Sequence, residues 1–95
     1  MKRKVRLRPA AEADLYRLAE FIVEKNPRAA LRLGETLRNA ILSLDEMAER
    51  GRPGPRKDLR ELVVRFGRSR YIVRYAVRER EVIVTRIWHG RERRD

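Results

Sequence analysis

Residues 59–90 read LRELVVRFGRSRYIVRYAVREREVIVTRIWHG. Apolar and polar residues alternate through this stretch in three runs, separated by Phe66-Gly67-Arg68-Ser69 and by Arg78-Glu79-Arg80-Glu81, which predicts three consecutive β-strands joined by two tight turns. Arginines recur through the strands at every second or fourth residue. An arginine on a half-buried strand requires its face to stay wet or to meet an anion. The face these arginines share is therefore the first place to look for function.

The register follows from the turns. A two-residue loop at Gly67-Arg68 pairs Phe66 with Ser69, Arg65 with Arg70 and Val64 with Tyr71. A second two-residue loop at Glu79-Arg80 pairs Arg78 with Glu81, an opposite-charge match, then Val77 with Val82 and Arg70 with His89. Paired residues share a face. One face then collects Leu62, Val64, Tyr71, Val73, Tyr75, Val77, Val82, Val84 and Trp88, the surface a helical layer would cover. The other collects Glu61, Val63, Arg65, Arg70, Ile72, Arg74, Arg78, Ile83, Thr85, Ile87 and His89. Its isoleucines predict an exposed apolar floor among arginines, a feature that marks partner sites. Arg86 falls on the covered face against this logic; a three-residue second loop would swap the last strand's faces instead.

Upstream, Val5 and Leu7 alternate with Lys4, Arg6 and Arg8, a short strand ended by Pro9. Pro9 suits the first turn of a helix, and Glu12 and Asp14 follow where the helix dipole favours acid. Ala11, Leu15, Leu18 and Ile22 form its apolar stripe, broadened by Tyr16, Phe21 and Val23, and the helix should end near Lys25. Asn26 is a good N-cap for a second helix opened by Pro27. Ala30, Leu33, Leu37, Ile41, Leu44 and Ala48 keep helical spacing along it. So short a link predicts an antiparallel hairpin. Gly51 to Lys57 is a basic glycine-proline loop unsuited to helix or central strand.

The 95 residues predict one domain, 1–95, and 42% apolar content suffices for one modest core. Absence of cysteine excludes disulfides and thiolate metal sites and fits a reducing cytoplasm. No apolar run has signal-peptide or membrane-spanning length. Net charge is +11, and it is unevenly spread: residues 1–49 hold ten Lys/Arg against eight Asp/Glu, residues 50–95 fifteen against six. The second half therefore favours an anionic partner, either nucleic acid or an acidic protein segment.

Chemistry is sparse. There is no glycine-rich phosphate loop and no metal-ligand cluster, so neither cofactor nor metal is expected. His89 is the sole histidine. Beside Arg70, with Arg65 and Arg74 near, its imidazole could act as general acid or base while the arginines stabilise developing charge on RNA. Glu12, Asp14 and Glu20 read as a solvated helix face. Trp88, Tyr71 and Tyr75 fall on the core side by parity, away from any base they might stack on.

The order strand, helical hairpin, glycine-proline loop and three-stranded meander resembles the RelE/ParE superfamily of toxins from type II toxin–antitoxin modules. The residues that carry it are LRPAAEADLYRLAEFI, NPRAALRL, GRPG, LRELVV, YIVRY and RIWHGRE, in order and nearly end to end. The resemblance implies an α+β, two-layer fold with the first strand beside the last. It also implies one of two activities. RelE-like members cut mRNA in the ribosomal A site with sheet arginines and an acid–base residue, and Arg70 and His89 match such positions. ParE-like members inhibit DNA gyrase; the His-Gly-Arg ending, without an aromatic after His89 and with only Arg56 and Lys57 as loop bases, is similar to that branch. Either implies a cognate acidic antitoxin of ParD or RelB type that folds over helices and sheet. Arg65, Arg74, Arg78 and Arg91 with Ile72 and Ile87 are the residues expected to meet target or antitoxin. A non-toxic nucleic-acid-binding module remains a further reading from net charge alone.

Overall fold

The computed structural model describes residues 2–94. Strand β1 (Lys4–Leu7) leads into helix α1 (Pro9–Val23), and helix α2 (Pro27–Leu42) continues into two short 3-10 turns. Strand β2 (Arg52–Pro53) precedes the meander of β3 (Leu59–Phe66), β4 (Ser69–Val77) and β5 (Glu81–His89). The sheet runs β1-β5-β4-β3-β2, with β1 parallel to β5 and the other pairs antiparallel. The α+β architecture with the first strand beside the last is thus present, and the basic loop adds a two-residue edge strand to it.

Each helix begins where its proline allows. Pro9 and Pro27 occupy first-turn positions, and the Asn26 carboxamide oxygen accepts the Ala29 N–H at 3.1 Å. On α2 the stripe Ala30, Leu33, Leu37 and Ile41 is buried, and Leu44 and Ala48 extend it through the 3-10 turns. On α1 only Ala11, Asp14 and Leu18 are buried. Tyr16, Phe21 and Val23, expected to widen that stripe, are exposed instead at 77%, 75% and 41%. Fifteen residues of helix set across one edge of a small sheet can bury only a narrow stripe, and these three project past it.

The β3–β4 register is the expected one throughout, Arg65 opposite Arg70 and Phe66 opposite Ser69. Gly67 takes φ +59°, the positive value needed at the first central position of such a turn. Between β4 and β5, Val77 pairs with Val82 and Tyr75 with Val84, as a two-residue loop requires. Then a β-bulge intervenes: Arg74 pairs with Arg86, Val73 with Ile87, Ile72 with Trp88 and Tyr71 with His89. Thr85 is the extra residue, its hydroxyl donating to the Arg74 carbonyl at 3.2 Å.

The bulge turns over the end of β5, so four expectations change. His89 lies opposite Tyr71 rather than Arg70. Ile87 is fully buried in the main core and not on an open floor. Trp88 and Arg86 move to the sheet's other face, where both Arg86 and Arg74 guanidiniums stack on the indole, 5.1 and 4.6 Å from its centre. That removes the anomaly of a buried-face Arg86. Nor is the floor exposed: Ile72 and Ile83 are only 1% and 4% accessible, in a second apolar layer with Leu59, Ala76 and Trp88. On the same face Arg74 and Arg86 lie over the Trp88 indole, the kind of cover that long arginine side chains give to apolar surface.

Candidate functional site

Beyond Val84 strand β5 loses its neighbour, because β1 ends at Leu7. The exposed edge is met by side chains from α1. Asp14 accepts the Ile87 N–H at 2.7 Å, takes two bonds from Arg86 at 2.8 and 3.1 Å, and pairs with Arg17 at 3.1 Å. Arg17 also donates to the Ile87 carbonyl. Asp14 was expected on a solvated face, yet it is 3% exposed. Burial alone would push its carboxyl up, but the bonds from Arg86, Ile87 N–H and Arg17 outweigh that and hold it below the ordinary aspartate value.

The tail is fastened to the same place. Glu92 accepts the His89 N–H and pairs with Arg17, and the Gly90 N–H extends the ladder to the Arg70 carbonyl at 2.7 Å. A side chain at position 90 would meet the Arg70 Cγ at 2.7 Å and its carbonyl oxygen at 3.0 Å. Glycine there lets the tail run against the Arg70 stem and fix where it points.

Around this junction lies a recess of about 360 Å³ lined by Arg65, Arg68, Ser69, Arg70, His89, Gly90 and Arg91. Four guanidiniums and one imidazole line it, and no acid does. Register places Arg65 directly opposite Arg70, a like-charge pair that destabilises a hairpin unless an anion lies between. The His89 ring stands edge-on to Tyr71, centroids 5.2 Å apart, and its Nδ1 accepts the Arg91 N–H at 3.1 Å. A second recess of about 580 Å³ adjoins it, sharing His89 and Arg91 and adding Leu18, Phe21 and Tyr71 with the charged pair Arg17 and Glu92.

Of the residues singled out from sequence, Arg65, Arg70, His89 and Arg91 come together here. Arg74 does not: its side chain is 12% exposed and bonded to Glu61 at 2.9 and 3.1 Å. Arg78 lies at the far end of β4, beside Asp58 at 3.5 Å. Ile72 and Ile87 are interior. Sequence reasoning passed over Arg68 and Gly90; the first was legible as the second turn residue beside Arg65, the second only once the tail's path is known. Among the described residues no group of three or more His, Cys, Asp or Glu is placed to hold a metal ion, and no helix is long and apolar enough to cross a membrane.

Residues 5–94 match the family described as the ParE toxin of the type II toxin–antitoxin system parDE. The chain belongs to this family. Toxin RelE1 of Caulobacter vibrioides is 48% identical over 85 residues, 88% of this chain and 89% of the relative. Toxin RelE3 of the same organism is 33% identical over 94 residues, covering 97% and 99%. Among solved structures, a chain from the chromosomal ParDE system of P. aeruginosa superposes with a TM-score of 0.81 over 93% of this chain and 96% of that one, at 22% identity. A chain of the RelBE2 toxin–antitoxin complex of Mycobacterium tuberculosis gives 0.57 over 94% and 99%, at 21%. At such identities these two matches establish the fold, and the family match establishes a type II toxin–antitoxin toxin of the ParE/RelE kind.

Proposed function

We propose that this toxin works by binding a protein target, DNA gyrase, as a ParE-like inhibitor in the cytoplasm, and that a cognate acidic antitoxin neutralises it. The observation that carries the reading is the state of His89. With Nδ1 accepting the Arg91 N–H, the neutral ring carries its proton on Nε2, leaving no free lone pair to take a proton from a substrate hydroxyl. The arginine recess beside it supplies no carboxylate or lysine as a second proton-transfer group, and the one carboxylate at His89, that of Glu92, is engaged by the His89 N–H and Arg17. For the antitoxin, the support is a groove of about 550 Å³ between α1 and α2, floored by Leu15, Leu33, Leu37 and Ile41 with Tyr16 and Leu42 at its rim. An amphipathic segment fits such a groove. Purified gyrase assayed for supercoiling with excess toxin should be inhibited, and antitoxin should restore it; unimpaired supercoiling refutes the reading.

Two observations favour a second reading, a ribosome-dependent mRNA endonuclease: Arg70 and His89 line the same recess, and the curated relatives bear RelE names. On that reading His89→Ala lowers cleavage by roughly 10²-fold. Intact message on translating ribosomes exposed to the unmutated protein rules it out.

A further inference from the structure

Past the end of β1 the outer edge of β5 presents a donor, an acceptor and a donor in turn: the Ile87 N–H, the Ile87 carbonyl and the His89 N–H. A side chain answers each one. Asp14 accepts the first at 2.7 Å, Arg17 donates to the second at 3.2 Å and Glu92 accepts the third at 2.8 Å. The three answering groups are also joined to one another, because Arg17 bonds Asp14 through one terminal nitrogen and Glu92 through the other. An acid–base–acid row thus stands where a neighbouring strand would otherwise satisfy the edge.

Two members of the row belong to α1 and the third to the tail. The ladder stops at Gly90, whose N–H reaches the Arg70 carbonyl. Arg91 comes next and lines the recess with Arg65, Arg68 and Arg70. On its far side is Glu92, so the place of Arg91 depends on the grip of Arg17. Bonds inside the turn, from the Glu92 N–H to the His89 carbonyl at 2.9 Å and from the Arg91 N–H to His89 Nδ1 at 3.1 Å, shape it without attaching it to a helix. The Arg17–Glu92 pair adds little stability, since the two side chains are 43% and 36% exposed. Arg17 is already immobilised by the buried Asp14 and the Ile87 carbonyl, however, and holds Glu92 at small further cost in side-chain entropy. A contact weak for folding but fixed in direction is suited to aiming its neighbour.

We propose that Arg17 and Glu92 are positioning residues of the toxin: clasped together they hold Arg91 in the wall of the candidate site, so that the site is already formed when the target arrives. Both act through Arg91 rather than on the target. The proposal rests on the gyrase reading for the identity of that target and for nothing else. Its size follows from populations: a released tail that is correctly placed a tenth of the time lowers apparent affinity about tenfold.

Supercoiling by purified gyrase, titrated with toxin, gives a midpoint of inhibition for each variant. Glu92→Ala should raise it about 10-fold while moving Tm by less than about 3 °C, and Glu92→Gln, which keeps one acceptor oxygen, should fall between. Arg17→Met should raise it similarly. The double variant should lose no more than the worse single one, because both act through one contact; additive losses refute the pairing. Tyr75→Phe is the control, losing hydroxyl bonds to Ala48 and Gly51 away from the tail. It should lower Tm more than Glu92→Ala does and leave the midpoint unchanged. A midpoint that follows Tm through all the variants reduces the pair to a structural role and overturns the proposal. The heteronuclear NOE of the Arg91 amide reads the tail without any target: it should fall in Glu92→Ala, and an unchanged value overturns the proposal. If the unmutated toxin leaves supercoiling unimpaired, the gyrase reading falls and growth arrest on induction replaces the midpoint. Arrest weakened by Glu92→Ala at equal protein level, and kept by Tyr75→Phe, upholds the positioning role; arrest unchanged in both refutes it.

Discussion

Two neighbouring regions at the end of β5 hold arginines in opposite conditions. At the β5 edge, Arg17 and Arg86 surround a buried carboxylate, and between them they tie helix α1 to strand β5 and to the tail. A few residues away, Arg65, Arg68, Arg70 and Arg91 line one recess that no acid lines. The same side chain thus holds the fold in one region and in the other is kept available, and the difference is whether an acid comes with it. Asp14 is what separates them: it lies against Arg17, Arg86 and Ile87 and not in the recess.

That contrast breaks most sharply at Asp14. Asp14→Ala leaves the Ile87 N–H without this acceptor and takes the buried carboxylate from Arg86 and Arg17; because Arg86 is 40% exposed the loss is discounted to about 2–3 kcal/mol, or roughly 10–20 °C in Tm. A melting point shifted by under a few degrees would mean the edge is held by something else. Acid acts on the same group. Its carboxyl titrates lower in the folded chain than unfolded, so its contribution is complete above the ordinary value of 3.8 and is lost as pH falls through the depressed folded one. In the Asp14→Asn protein, stability should fall less steeply below pH 4 than in the unmutated protein, as read by urea midpoints.

Smaller effects sharpen the comparison. Tyr75 is fully buried, its hydroxyl donating to the Ala48 carbonyl and accepting the Gly51 N–H, both at 2.8 Å. Tyr75→Phe should cost about 1–2 kcal/mol by denaturant titration. Gly90→Ala should cost about 1 kcal/mol by the same measurement, since the new methyl displaces the Arg70 stem. Smallest of all, Arg65→Gln should leave stability within about 0.5 kcal/mol, on the stabilising side because it relieves a like-charge pair. A clear destabilisation by Arg65→Gln would erase the distinction between paired and unpaired arginines.

Most of the fold was legible because local rules governed it. Pro9, Asn26-Pro27 and the Gly67-Arg68 turn each set a boundary or a register that tertiary packing had no reason to override. The place of β1 beside β5 came from resemblance, since nothing local in Lys4–Leu7 specifies a partner 77 residues away. What period-two counting missed was the bulge, which no turn residue announces. Its trace was Arg86, an arginine with the wrong parity. Asp14 was misjudged for a related reason: its partner is a strand edge exposed only because β1 stops at Leu7. Of the recess, the sheet arginines and His89 were visible; their separation from Arg74 and Arg78 depends on where the acids fall in three dimensions.

One added residue at Thr85 decides which side of the sheet the last four strand residues present. Point substitutions therefore adjust this end of the molecule by degrees, but a one-residue deletion would turn it inside out, sending Trp88 toward the helices and His89 to the far surface. Length in this strand is as much a determinant of the site as the identity of any side chain in it.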